Sequence, residues 1–198
     1  MEIKVWQQIK DKLELIAKGY GKKFERVWFL NPDTNQEVDF LRFTEPNAAN
    51  ILPVTSEGFV IAVKQFRPGC EEITIELPGG SADNPNDDLV NVARRELFEE
   101  TGYESDEIIL LANGKPAFIT ALNSPSHGVS LLAFNCKKII EPKMDPNEVL
   151  ELVKFPVDQW VKMSLESLVD DPTLVTTLRA LPFLIERYPS VLEVLKQH

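Results

Sequence analysis

Hydrophobic residues in this 198-residue chain alternate with polar ones over short segments, which predicts several strands and a few helices. The N-terminus differs, because its apolar residues recur at helical spacing. Residues 5–18 are therefore predicted to form a helix that ends before Gly21. Strand-like residues 24–30 and 37–43 follow, separated by a turn at 31–35, and this pair is predicted to form a hairpin.

The middle of the chain places three further strands before one helix. The strands are predicted at 48–54, 58–66 and 73–77, and the helix at 86–101, with Gly102 at its C-terminal cap. Later segments add strands at 129–135 and 149–155, a helix that begins at Pro156, and a helical tail at 172–196 with breaks near Pro182 and Pro189. We expect an α/β fold, with an extension at 1–45 and a main domain at 46–198.

The central helix carries an unusual group of carboxylates. At roughly 100° per residue, Glu96 and Glu100 point within about 60° of Leu89, on the stripe that should enter the core, and Glu99 lies within about 80°. Carboxylates placed together on a buried side repel one another unless a cation neutralises them. A solvated acidic helix end is the alternative. The preceding strand and the Gly79-Gly80 loop favour a cage for Mg²⁺, with Mn²⁺ also acceptable.

Residues 80–103, GSADNPNDDLVNVARRELFEETGY, resemble the Nudix box, Gly-x5-Glu-x7-Arg-Glu-U-x-Glu-Glu-x-Gly-U, in which U is bulky and apolar. The second half matches at every fixed position. The first half has one extra residue and carries Asp87 in place of glutamate. The segments VKQFRP at 63–68 and ELPGG at 76–80 are similar to the ADP-ribose pyrophosphatase and nucleotide-sugar hydrolase branch of the family.

This resemblance implies an α-β-α Nudix sandwich with a mixed central sheet. It also implies metal ligands at Glu96, Glu99 and Glu100, completed by the Gly79 carbonyl. Glu99 and Glu100 are expected to act in catalysis as ligands that hold the metal ion. Arg95 is expected to orient the cage by pairing with a carboxylate, with Asp87 as its partner. A helix-capping role is the alternative for Asp87.

The resemblance also implies a catalytic base on a loop after the later strands, and the acidic loop at 141–151 is the matching region. Glu148 is the first choice, with Asp145 and Glu151 behind it, and a solvated loop is the alternative for each.

Four residues are candidates for substrate binding. Arg67 ends a strand and can grip phosphate oxygens in a bidentate manner, and Lys64 is a weaker candidate nearby. His127 lies on a loop where many ADP-ribose hydrolases carry an acidic and a basic residue, and a solvated loop histidine is the alternative. Trp28 could stack on a base, although packing within a strand is the alternative.

Composition narrows the class of partner. The net charge of −10 argues against a general nucleic-acid binder, and no apolar run approaches the ~20 residues of a membrane span.

The compartment is inferred from the N-terminus and the cysteines. The N-terminus lacks a signal-peptide pattern, and the two cysteines match no metal or disulfide framework. We expect a cytoplasmic protein. The resemblance further implies a homodimer formed through the N-terminal strands.

These observations lead to one hypothesis with two rivals. The hypothesis is a Mg²⁺-dependent Nudix hydrolase that cleaves the pyrophosphate bond of ADP-ribose or a related nucleoside diphosphate sugar. The first rival is a nucleoside triphosphate pyrophosphatase, which would release pyrophosphate. The second is a Nudix-fold sensor that binds a nucleotide without hydrolysing it.

Overall fold

A computed structural model describes residues 3–118, 121–142, 149–166 and 169–197. The chain forms two compact units. The N-terminal unit comprises Met1–Asn47 and Phe118–His127, and the main unit comprises Ala48–Ala117 and Gly128–His198.

The strands are β1 (Gln7–Gly19), β2 (Lys22–Leu30), β3 (Glu37–Thr44), β4 (Ala48–Thr55), β5 (Phe59–Arg67), β6 (Glu72–Glu76), β7 (Gly79–Ser81), β8 (Tyr103–Glu104), β9 (Glu107–Leu110), β10 (Ala117–Phe118), β11 (His127–Lys138) and β12 (Leu150–Pro156). The helices are α1 (Leu89–Thr101), α2 (Val157–Leu165), α3 (Asp171–Arg187) and α4 (Ser190–Leu195), with a 3₁₀ turn at Leu111–Gly114.

The N-terminal unit contains an antiparallel sheet in the order β1-β2-β3. The predicted helix at 5–18 is wrong, because residues 7–18 belong to β1. Tyr20 and Gly21 both have positive φ, at 49° and 73°, and form a two-residue hairpin turn that joins β1 to β2. The paired strands place Glu14 opposite Arg26, where the two side chains form an ion pair of 3.3 Å. Cross-strand pairing therefore overrides a weak helical period.

The main unit is built on a mixed sheet whose strand path includes β11-β4-β5-β12. Strands β11 and β4 are parallel, whereas β5 is antiparallel to β4, β6 and β12. The three-residue strand β7 pairs with the start of β4, so that Gly79 lies opposite Asn50. This pairing fixes the glycine loop against the middle of the sheet.

Helices cover both faces of this sheet. On one face, α1 buries Val92, Ala93 and Leu97 against β4, β5 and β11. On the other, α2, α3 and α4 bury a larger core around Trp160, whose indole N–H donates to Thr177 at 3.0 Å. The predicted α-β-α sandwich with a mixed central sheet is confirmed.

Two further helix predictions need correction. Helix α1 begins at Leu89, three residues later than predicted, because the Asp88 carboxylate accepts the Val90 N–H at 2.9 Å and caps the first turn. Pro182 lies inside α3 and does not interrupt it, whereas the helix ends before Pro189. Gly102 caps α1 as predicted, in the left-handed conformation with φ 72°. In the described ranges, no helix has the length and apolarity needed to span a membrane.

Candidate active site

Two glutamates of α1 converge on the glycine strand β7. The carboxylate of Glu100 accepts the Gly79 N–H at 3.1 Å. The carboxylate of Glu96 lies beside Gly80, and its side chain is only 14% exposed. Residues 96 and 100 are one helical turn apart, so both side chains reach the same two-residue backbone segment. The structure thus brings together Gly79, Glu96 and Glu100.

Gly80 leaves no space for a side chain at this point. A Cβ atom at this residue would lie 2.3 Å from Oε1 of Glu96 and 2.4 Å from its Cδ. Carbon and oxygen cannot approach so closely, and a side chain here would therefore displace the carboxylate. Glycine is required at this position so that Glu96 can lie against the backbone.

Arg95 holds the neighbouring carboxylates. Its guanidinium contacts Glu96 at 2.9 Å, Glu99 at 3.3 Å and, more distantly, Asp83 at 3.8 Å. It also donates to the Ser81 carbonyl at 3.3 Å, which ties α1 to the end of β7.

The expected pairing of Arg95 with Asp87 is wrong. The Asp87 carboxylate instead accepts the Asn84 N–H at 2.8 Å and closes the loop before α1. The extra residue in this loop leaves Asp83, and not Asp87, within ion-pair distance of Arg95.

The oxygen donors at this site fit a hard divalent ion. Glu96 and Glu100 supply two carboxylates beside the Gly79-Gly80 backbone, and carboxylate and carbonyl oxygens are the ligands that Mg²⁺ and Mn²⁺ prefer. Glu99 lies on the outer side of the helix, and its side chain is 53% exposed. Across the described ranges, no group of three or more His, Cys, Asp or Glu side chains is arranged to hold a metal. The geometry therefore supports Glu96 and Glu100 more strongly than Glu99.

Arg67 forms a partly buried ion pair that the sequence does not reveal. It ends β5, and its guanidinium binds both oxygens of Glu76, with Nε 2.7 Å from Oε1 and Nη2 against Oε2. These hydrogen bonds raise the pKa of Arg67, and Glu100 and Asp170 are near enough to add to the effect. Arg67 is therefore held beside the acidic end of α1.

Glu76 is only 4% exposed. Burial by itself would raise the pKa of Glu76, but hydrogen bonds from Arg67 and Thr74 outweigh it and lower the pKa. Sequence reasoning missed Glu76 as a site residue. Its position in the sequence could have identified it, because Glu76 ends a strand on the side that faces the core and lies just before the glycine loop.

Asp170 is a second carboxylate near this pair. It caps α3 by accepting the Thr173 N–H at 3.1 Å. Burial raises the pKa of Asp170, and repulsion from Glu76 adds to the shift. The ionised form of Asp170 is therefore disfavoured in the folded protein.

Substituting Asp170 by asparagine is expected to raise the melting temperature at pH 7. Asparagine caps helices as well as aspartate does, and it removes the unfavourable charge. The pKa of Asp170 in the folded protein lies above the ordinary value of 3.8, so its charge destabilises the fold only where the carboxyl is ionised. The gain in stability from asparagine is therefore full above the folded pKa and vanishes below pH 3.8. Thermal unfolding between pH 3 and 8 measures it. A lower melting temperature at pH 7 would show that the Asp170 charge stabilises the fold.

The remaining predicted site residues of the main unit are Lys64 and the candidates for the catalytic base. Lys64 lies on β5 opposite Glu151 of β12, and their charged groups are 3.8 Å apart. Glu151 is thus engaged by a cation and is exposed. Glu148 and Asp145, the other candidates for the base, lie outside the described residues.

Trp28 and His127 belong to the N-terminal unit. Trp28 is partly buried on β2, opposite Asp39 of β3. His127 is also partly buried, and its ring contacts Phe118 edge-on at 6.2 Å between centroids. Its backbone N–H donates to Asn47 at 3.3 Å.

Several curated proteins are similar in sequence. An ADP-ribose pyrophosphatase of Bacillus subtilis (strain 168) is 30% identical over 60% of this chain and 62% of its own length. An ADP-sugar pyrophosphatase of Mus musculus is 28% identical over 72% of this chain and 71% of its own. A methanol dehydrogenase activator of Bacillus methanolicus is 26% identical over 69% of this chain and 72% of its own.

The fold has a counterpart among solved structures. The crystal structure of an ADP compounds hydrolase superposes with a TM-score of 0.75, covering 95% of this chain and 98% of that one at 18% identity. The family model of the NUDIX domain matches residues 44–174, which contain β7, α1 and every metal ligand predicted above. The resemblance in the box is confirmed, and the chain belongs to the Nudix family.

Proposed function

We propose that this protein is a Mg²⁺-dependent hydrolase that cleaves the pyrophosphate bond of ADP-ribose or a related nucleoside diphosphate sugar. The products are a nucleoside monophosphate and a sugar phosphate. The observation that carries the proposal is the convergence of Glu96 and Glu100 on Gly79-Gly80 within a Nudix domain. The pyrophosphatase names of the mouse and Bacillus subtilis relatives support the substrate class.

Each residue of the site has a proposed role. Nudix pyrophosphatases generally need a divalent metal, and Glu96, Glu100 and the Gly79 carbonyl would hold it here, with Glu99 as a further ligand. Such an ion screens the diphosphate charge and makes water a better nucleophile. Arg95 fixes the orientation of Glu96 and Glu99 through its ion pairs.

Residues outside α1 are proposed to bind the substrate. Arg67 donates to phosphate oxygens, and Lys64, whose side chain lies on the opposite face of β5, contributes only positive charge at longer range. Glu148 is proposed to accept the proton of the attacking water. Trp28 and His127 are proposed to contact the base or the sugar.

We further propose a cytoplasmic homodimer formed through the N-terminal unit. Leu13, Leu15 and Leu41 are each 46–48% exposed in that unit, and a partner chain would cover such residues. Both cysteines are free thiols, as is usual in a reducing compartment.

Incubation with a substrate panel tests this function. With Mg²⁺ we expect AMP and ribose 5-phosphate from ADP-ribose, or the equivalent pair from a nucleotide sugar, and no product after chelation by EDTA. Release of pyrophosphate from a nucleoside triphosphate as the main activity would favour the first rival. Metal-dependent nucleotide binding without product from any substrate would favour the sensor.

A further inference from the structure

The ion pair between Arg67 and Glu76 lies on the face of the sheet that α1 covers. Arg67 and Ile61 share one face of β5, since side chains alternate, and Ile61 is buried in the core under α1. Ile75 of β6 packs into the opposite core, which leaves Glu76 on the α1 side. Strand β6 therefore places Glu76 three residues before Gly79, on the same side as the acidic end of α1.

Both oxygens of the Glu76 carboxylate are fully engaged. Oε1 accepts Arg67 Nε at 2.7 Å and the Thr74 hydroxyl at 2.5 Å. Oε2 accepts Gln65 Nε2 at 3.0 Å and Arg67 Nη2. Gln65 lies opposite Thr74 in the β5–β6 pairing, so the hairpin itself builds this set of donors. The carboxylate is consequently fixed in position and orientation.

A fixed carboxylate also fixes the arginine. The guanidinium is planar, and Glu76 occupies the edge formed by Nε and Nη2. The opposite edge, formed by Nη1 and the second N–H of Nη2, must face away from Glu76. The Arg67 side chain is 48% exposed, and Arg67 interacts electrostatically with Glu100. One edge is therefore anchored while the arginine remains open to solvent beside the site.

We propose that Glu76 is a positioning residue, which holds Arg67 so that its second edge binds the diphosphate of the substrate. The inference rests on the function proposed above. An unanchored arginine would lose rotamer freedom on binding, and Glu76 removes that cost in advance. The pair also places hydrogen-bond donors beside the site of a chain whose net charge is −10.

The Glu76→Gln variant, assayed with ADP-ribose and Mg²⁺, tests the proposal. We expect KM to rise about tenfold with little change in kcat. The substitution weakens the contact of Arg67 with the diphosphate, which is made equally in the ground state and the transition state. In an Arg67→Gln background, the same Glu76→Gln change should raise KM no further. An equal rise in both backgrounds, or an unchanged KM in the single variant, would overturn the proposal.

Two further variants separate positioning from stability. Glu25→Gln is the matched control, since Glu25 is 6% exposed and pairs with Arg42 at 3.0 Å on the N-terminal sheet. It should lose comparable thermal stability with an unchanged KM.

If Glu76→Gln does not fold, Thr74→Val provides a second test. It removes one hydrogen bond to Oε1 of Glu76 and should raise KM about threefold only when Arg67 is present. If Thr74→Val leaves KM unchanged, or raises it equally without Arg67, the proposal is wrong.

Failure of this inference is distinguishable from failure of the proposed function. If the wild-type protein hydrolyses no diphosphate sugar, the proposed function is wrong, and the Glu76 proposal falls with it. If the wild-type protein is active and Glu76→Gln behaves like Glu25→Gln, only the role of Glu76 is wrong.

Discussion

Replacement of Glu100 by glutamine is expected to lower Mg²⁺-dependent turnover by about 10³-fold, since charge stabilisation by a bound metal contributes several kcal/mol to catalysis. Glu100 is one of two carboxylates placed beside the glycine strand. Glutamine can still accept the Gly79 N–H, and the fold should therefore be retained. Steady-state kinetics with ADP-ribose, together with thermal unfolding, measures both effects.

The matched control is Glu104→Gln. Glu104 is exposed on β8, four residues beyond Glu100, and the change removes the same charge. It should leave turnover unchanged. Near-normal activity in Glu100→Gln would remove Glu100 from the proposed metal site, whereas equal losses in both variants would indicate a general effect of charge.

Replacement of Gly80 by alanine is expected to reduce turnover by about 10²-fold, because a displacement of about 1 Å in a catalytic group costs that much. The new Cβ would overlap the Glu96 carboxylate, which must move. The displaced atoms are the end of a flexible side chain, and the melting temperature should change by only a few degrees. Kinetics at saturating Mg²⁺ and thermal unfolding measure the two effects.

Gly69→Ala provides the control for Gly80→Ala. Gly69 has no atom within 4 Å of an added Cβ, and its φ is not positive. Alanine should therefore be tolerated there, with normal activity. A Gly80→Ala variant with full activity would mean that Glu96 need not lie against the glycine strand.

The fold and the centre of the site follow from local sequence signals. Helix α1 was predictable because Leu89, Val92 and Ala93 share one face, and Gly102 marks its end. The convergence of Glu96 and Glu100 on Gly79-Gly80 was implied by the box. Each of these features depends on residues that are near one another in the chain.

Features that depend on tertiary pairing were harder to predict. The period of residues 5–18 favours a helix in isolation, and only the pairing of β1 with β2 makes the segment a strand. Arg67 and Glu76 become partners because β5 and β6 form a hairpin, and sequence alone gave Arg67 a phosphate-binding role without that anchor. The contact of Arg95 with Asp83, in place of the expected contact with Asp87, likewise depends on the conformation of the loop before α1.

Titration with Mn²⁺, followed by electron paramagnetic resonance, tests the central claim most directly, because it reports binding of a divalent ion without requiring turnover. We predict saturable binding to the wild-type protein, Mg²⁺ as a competitor, and an affinity at least about tenfold lower in Glu100→Gln, which loses a charged ligand. Glu104→Gln should bind like the wild type. Equal affinity of the wild-type and Glu100→Gln proteins would contradict a metal site at the end of α1.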